Sequence, residues 1–219
     1  FVGQPVQDLH GHGTHCIGTA CGPKAPPAST PRYGVGYRTR IFAGKVLSNA
    51  GSGTTASVLA GMNWAIANRC EVISMSLGSQ SPVQTAYTQA GAAALRNGCL
   101  ILAAAGNAGA NTGAPANSPT ILSVASLDRT LRPSSFSNRN KVEIAAPGRD
   151  VFSSVPMPRR YSTMSGTSMA TPHVAGCAAL WAQGNPSLRA TALWRRLEAS
   201  ARRLPFPAAR VGAGLLQAP

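Results

Sequence analysis

The chain has 219 residues, 44% of them hydrophobic, and 20 Lys and Arg stand against 6 Asp and Glu for a formal net charge of +14. Abundant Gly and Ala fit one domain with close helix-to-sheet packing, and there is no internal repeat, heptad pattern or low-complexity tract. No apolar run reaches the ~18 residues of a transmembrane helix, and the positive field favours acidic partners or anionic surfaces.

In chain order, His10-Gly11-His12-Gly13-Thr14-His15 places histidines between glycines at the start of a small-residue helix. A basic, proline-rich stretch follows at 22–40. Residues 41–47 read as a strand running into the turn 48–53, and 54–68 have helical spacing, with Leu59, Met62, Trp64 and Ile66 among the apolar positions. Residues 72–78 read as a second strand and 85–97 as an alanine-rich helix closed by Asn97-Gly98. Cys99-Leu100-Ile101-Leu102 has the unbroken apolar character of a buried parallel strand and ends in Ala103-Ala104-Ala105-Gly106-Asn107, on an amide side chain. The run Ser165-Gly166-Thr167-Ser168-Met169-Ala170-Thr171-Pro172 predicts a helix starting close to Ser168, with Thr167 as its cap and Pro172 tolerated in the first turn. The residues after it are small or apolar on every face, as in a helix sunk in a core, and Gly176 lets a neighbour approach. A terminal helix spans 187–203. Strands alternating with helices imply an α/β fold, a parallel sheet covered on both faces.

A serine at a helix start lies beside unpaired N–H groups and the positive end of the dipole, and ligands of open α/β sheets bind at the carboxyl ends of the strands. Acyl transfer needs a nucleophile, a base and oxyanion donors; Ser168, His12 and Asn107 suit those roles. The basic residues fall in short groups at 32–40, 129–141, 159–160 and 189–203 with few interleaved aromatics. That pattern fits solvated faces and no specific nucleic-acid reader; salt-sensitive polyanion binding is the alternative.

In its motifs, their order and their separations, the chain resembles the subtilisin-like serine protease family, and within it the proteinase K branch. The resemblance runs from about Asp8 to Ala218. It implies a three-layer subtilisin-like fold, with a mostly parallel central sheet between helices, and a serine endopeptidase acting on polypeptides. His12 would be the general base, Ser168 the nucleophile and Asn107 an oxyanion donor. By the same resemblance Gly51-Ser52-Gly53 is the edge that pairs with extended substrate, Ser76-Leu77-Gly78 the opposite wall, and Ala104-Ala105-Gly106 the floor of the pocket before the cut. Small walls without an acid imply a broad preference for apolar or aromatic residues.

The family's triad Asp, in an Asp-Thr-Gly or Asp-Ser-Gly motif, has no counterpart here. Asp8, four positions ahead of His12, matches another family Asp, and Glu71, Asp128, Glu143, Asp150 and Glu198 lie in no such motif. Two readings follow: a peptidase domain, residues 1–219, lacking about fifty N-terminal residues and their strands, or a pseudoprotease acting as a basic binding module. The family's habit also implies a secreted monomer with an N-terminal propeptide or inhibitor as partner. Cys16 resembles the free thiol near the histidine of the proteinase K branch, and Cys70 and Cys99 precede neighbouring strands, which permits a bridge. The family's long calcium loop is not visible. A calcium site of the branch maps onto Pro119, Ile121 and Glu143, where a lone Glu reads as a structural carboxylate before it reads as a ligand.

Overall fold

The computed structural model describes residues 1–219. Four strands form a parallel sheet in the order β1 (Val72–Met75), β2 (Leu100–Ala104), β3 (Leu122–Leu127) and β4 (Ile144–Pro147). The register sets Leu102 beside Leu122 and Val124 beside Ile144, so alternate residues align by face.

That alternation sorts the core into two layers. Leu100, Leu102, Leu122, Val124, Ile144 and Ala146 pack against α4 (Thr167–Gly184) and α5 (Ala190–Ser200). Ile101, Ala103, Met75 and Ile121 face the opposite way, onto Val58 and Met62 of α2 (Thr55–Ala67) and Tyr87, Ala90 and Ala94 of α3 (Thr85–Arg96). With each large aliphatic burial contributing about 2 kcal/mol, these layers dominate the fold's stability. The α/β three-layer arrangement read from the sequence is the one observed.

Helix α4 is the axis of the molecule, touching all four strands and α1 (His12–Cys21). Gly176 permits the α1 contact: a Cβ there would stand 2.8 Å from the Ala20 carbonyl oxygen and 2.6 Å from Cβ of Val35. Beneath α1 lies an antiparallel hairpin, β5 (Val151–Ser154) with β6 (Tyr161–Met164). A short helix α6 (Ala208–Val211) precedes the closing segment, where Leu215 bridges to Ala145.

Several local expectations need correction. Residues 41–47 form no strand and make no backbone–backbone hydrogen bond, because nothing lies alongside to complete a ladder. β1 stops at Met75 and does not extend through Gly78, and the terminal helix is Ala190–Ser200, shorter at both ends than 187–203. Thr167 is not the cap of α4: Gly166 holds that position without a side-chain bond, and Thr167 is the first helical residue. All five cysteines are free, so the Cys70–Cys99 bridge is absent.

Candidate active site

Ser168 is the second residue of α4, where a helical N–H has no intrahelical acceptor. Its position is locked from below. The Asn107 side-chain oxygen accepts from the Thr167 N–H at 2.8 Å and the Thr167 hydroxyl at 2.9 Å, while that hydroxyl accepts from the Gly106 N–H at 3.1 Å. Thr167, fully buried, therefore ties the helix that carries Ser168 to the end of β2. Gly106 makes the turn possible: its φ is 110° and a Cβ would lie 2.3 Å from Nδ2 of Asn138.

With its oxygen engaged, Asn107 leaves Nδ2 free to donate. A point one Cβ bond from Gly166 lies 3.3 Å from that nitrogen and 3.6 Å from the Ser168 backbone nitrogen. Both nitrogens, with the Asn107 Oδ1 at 3.7 Å, thus border a small space beside the serine. The Ser168 hydroxyl donates to the Ser76 carbonyl at 3.3 Å, and the Ser76 hydroxyl donates to the Ser168 carbonyl at 2.6 Å.

His12 opens α1 and borders the same cleft. Burial pushes its pKa below the usual 6.5, His10 and His15 add to that, and Asp8 opposes it. The ring has no carboxylate partner and no hydrogen bond to Ser168; its Nδ1 meets only the Cys16 sulfur, at 4.0 Å. Cys16 in turn reaches the Ser168 carbonyl at 3.5 Å, and burial raises its thiol to about 11.

Asp8 is committed elsewhere. Its carboxylate accepts from the N–H groups of His10 (2.9 Å), Gly11 (2.7 Å) and Thr14 (2.9 Å) and from the Thr14 hydroxyl (2.7 Å). Burial favours the neutral acid, but these four donors outweigh it and hold the pKa at about 2. Asp8 thus holds the first turn of α1 from outside the helix, whose N-cap position is Gly11. His15 and His173 are packing residues: His15 Nε2 lies 3.0 Å from the Val151 carbonyl, and His173 Nδ1 bonds the Met169 carbonyl at 2.9 Å.

The chain from 2 to 214 matches the Subtilase family model, Peptidase S8. It is 40% identical over 203 residues to subtilisin DY of Bacillus licheniformis, covering 90% of this chain and 72% of that one. The chain belongs to the subtilase family. Subtilisin Savinase of Lederbergia lenta is 42% identical over 188 residues, 84% of this chain and 68% of that one. The cuticle-degrading serine protease of Arthrobotrys oligospora is 41% identical over 187 residues, 82% of this chain and 43% of that one. A solved cold-adapted subtilisin-like serine proteinase superposes with a TM-score of 0.82 at 37% identity, covering 96% of this chain and 74% of that chain. As a subtilase, the chain has the fold and the class of a serine endopeptidase, and no helix is long and apolar enough to cross a membrane.

Of the segments expected to meet substrate, Gly51, Ser52, Gly53, Ser76, Leu77, Gly78 and Ala104 line the same cleft as His12, Asn107 and Ser168. Ala105 and Gly106 do not line it; Ala105 is buried and its carbonyl accepts from Asn138, so these two support the floor from behind. Gly51–Gly53 are exposed in a turn closed by the bond from the Ser48 N–H to the Ser52 carbonyl at 2.7 Å.

The residues aligned with a calcium site do not fit that ion. Lys141 Nζ donates to the Ile121 carbonyl and, at 2.8 Å, to Glu143, whose same oxygen accepts from the Ser123 N–H at 2.6 Å. An ammonium group stands where a cation would bridge these oxygens, and Pro119 is exposed and takes no part. Sequence reasoning missed Lys141, although Lys141-Val142-Glu143 has the spacing of two residues that puts side chains on one strand face.

Proposed function

We propose that this subtilase domain cleaves peptide bonds through Ser168, with His12 as general base and Asn107 Nδ2 and the Ser168 N–H holding the oxyanion. The convergence of those two donors beside Ser168, locked through Thr167, carries this reading. His12 is neutral at pH 7 and able to accept the Ser168 proton. It lacks a carboxylate to fix the ring and stabilise the imidazolium, so these residues alone give a weak catalyst; in subtilisin itself, removing the triad acid lowers kcat about 3 × 10⁴-fold.

Small walls at Ser76–Gly78 and Ala104, with no acid on them, support a broad apolar or aromatic preference for the residue before the cut. Secretion, a monomeric state and regulation by a propeptide complete the proposal, on the family's pattern. Calcium is left out, since Lys141 takes the cation's place.

A fluorophosphonate probe tests this, read by intact mass. Slow modification at Ser168, rising with pH as His12 loses its proton and absent in Ser168→Ala, is the expected result. A folded chain that stays unmodified at pH 8 through prolonged incubation overturns the protease reading and favours the alternative, a basic binding module.

A further inference from the structure

In sequence the cations at 32–40 and at 159–160 are far apart, with few aromatics among them; the fold joins them around a cluster of rings. Residues 22–40 run beside the end of α1, pinned where the Val35 and Gly36 N–H groups donate to the carbonyls of Thr19 and Ala20, at 3.2 and 2.8 Å. Tyr33 of this loop meets Tyr161 and Phe152 of the β5–β6 hairpin, with ring centroids 5.8 and 6.1 Å away, and those two rings stack on each other at 5.4 Å. The cluster lies on the hairpin face turned from α1. On the other face Val151 and Ser153 are buried, and the Ser153 hydroxyl donates to the His15 carbonyl at 2.9 Å. Each of the three rings is half-buried and keeps part of its surface in water.

Cations flank this cluster on both sides. Arg32 and Tyr33 are neighbours in the chain, as are Arg160 and Tyr161, and Arg159 and Arg160 are exposed at the tip of the hairpin. Beside Arg32, three cations gather on one ring. Lys24 Nζ and the guanidinium carbons of Arg32 and Arg38 lie 5.7, 5.8 and 5.5 Å from the centroid of Tyr37, itself exposed. Arg32 is held in place, its Nε and Nη2 donating to the carbonyls of Gly34 and Val35 at 3.2 and 3.3 Å. Lys24, Arg32, Arg38, Arg159 and Arg160 all lack a counter-ion, because the ion pairs of the molecule are Lys141 with Glu143 and Arg189 with Glu71. A cation–π contact offsets only part of the repulsion among three like charges confined to a sphere of radius 5.8 Å. What neutralises them comes from outside the chain, as an anion of several charges.

The side chains say which anion. All but Lys24 are arginines, whose planar fork matches the oxygens of a phosphate. The tyrosine rings among them are platforms for unpaired bases. An acidic polypeptide would satisfy the charges and leave the rings unused, and a duplex keeps its bases stacked inside, out of their reach. We propose that this face, from Lys24 through Tyr37 and Tyr33 to Arg160, binds single-stranded nucleic acid, with phosphates on the cations and bases against the rings, without reading sequence. It requires neither His12 nor Ser168, and so goes beyond the protease reading and does not depend on it.

The test uses the full chain and a fluorescein-labelled oligothymidylate of about twenty nucleotides, read by fluorescence anisotropy. A duplex of the same length and poly-glutamate of the same charge compete for the chain. The single strand should be preferred at least about tenfold over either competitor, and log Kd should rise with log salt at a slope of about 3.5, for about five phosphates engaged. Arg159→Ala combined with Arg160→Ala should lower that slope by about 1.4, whereas Tyr37→Ala should weaken binding about tenfold and leave the slope in place. Arg195→Ala with Arg196→Ala removes the same charge from α5, which packs on α3, α4 and β2, and should leave the affinity within about twofold. Equal competition by poly-glutamate or by duplex overturns the proposal, as do equal losses from the α5 and hairpin variants, which would reduce the binding to the overall charge of +14. Fluorophosphonate labelling of Ser168 in the same samples reports the protease reading on its own. Binding without labelling keeps this surface and sinks that reading, and labelling without binding does the reverse.

Discussion

The two sides of the central sheet differ in what holds them. On the inner strands the face under α4 and α5 is sealed, and Leu100, Leu102, Leu122 and Ile144 are fully buried. Toward β1 the strand edge is free, Ile41 is half-exposed and no ladder is completed. Ser168 and Asn107 are tied through Thr167 into the core. His12 opens α1, which packs on α4 and β5 and whose first turn is held by Asp8. The difference teaches that Asn107 and Ser168 are fixed by the core of this domain, while the His12 ring has no comparable hydrogen bond to hold it.

The contrast should appear first in stability. Leu102→Ala is expected to cost about 3 to 4 kcal/mol and Ile73→Ala about 1 kcal/mol, because one empties a sealed core and the other an edge. Equal losses in urea melts would show that β1 is covered in solution. For the locked side, Asn107→Asp keeps an acceptor for Thr167 and removes the donor. Phosphonate labelling of Ser168 should fall about 10²- to 10³-fold with little change in Tm; a large fall in Tm with an intact labelling rate would reassign Asn107 to structure alone.

Lys141→Met leaves Glu143 in a partly buried site without its counter-ion and should cost about 2 kcal/mol. Added calcium is expected to restore part of that in the variant, whereas a chelator leaves the unaltered chain's Tm in place. A Tm that drops on chelation of the unaltered chain would contradict the ammonium's role.

The smallest effects belong to α1. Asp8→Ala should lose about 1 kcal/mol at neutral pH, the worth of a helix cap. With a folded pKa of about 2 against an ordinary 3.8, that contribution is complete above 3.8 and lost as the pH falls toward 2. The histidines act at higher pH. Burial depresses His12, His15 and His173 below 6.5, so the unfolded chain binds more protons there and stability falls as the pH drops through that range. Thermal melts between pH 8 and 3 should show the histidine slope first and the Asp8 difference shrinking last.

Much of this was legible in the residues. Strands β1 and β2 and helices α1 to α4 follow from periodicity and small-residue runs, and motif order singled out His12, Ser168 and Asn107, which border one cleft. The failures share one cause, a partner that sequence does not display. Residues 41–47 have strand composition, but a strand exists only with a neighbour. Thr167 has the chemistry of a cap, yet its hydroxyl is drawn sixty residues back in sequence to Asn107. The β5–β6 hairpin went unread because prolines at 156 and 158 interrupt its signal, and Lys141 looked like one more surface cation until the fold brought the Ile121 carbonyl to it.

Helix α4 carries Ser168 at one end and the middle of the core along its length. Local fraying that spares the rest of the domain cannot release Ser168, since Met169, Ala170, Thr171 and Pro172 are buried immediately behind it. Heat inactivation should therefore be all-or-none. A sample that has lost half its reactive serines would consist of half intact and half fully unfolded molecules, with no population of folded, inert protein between them.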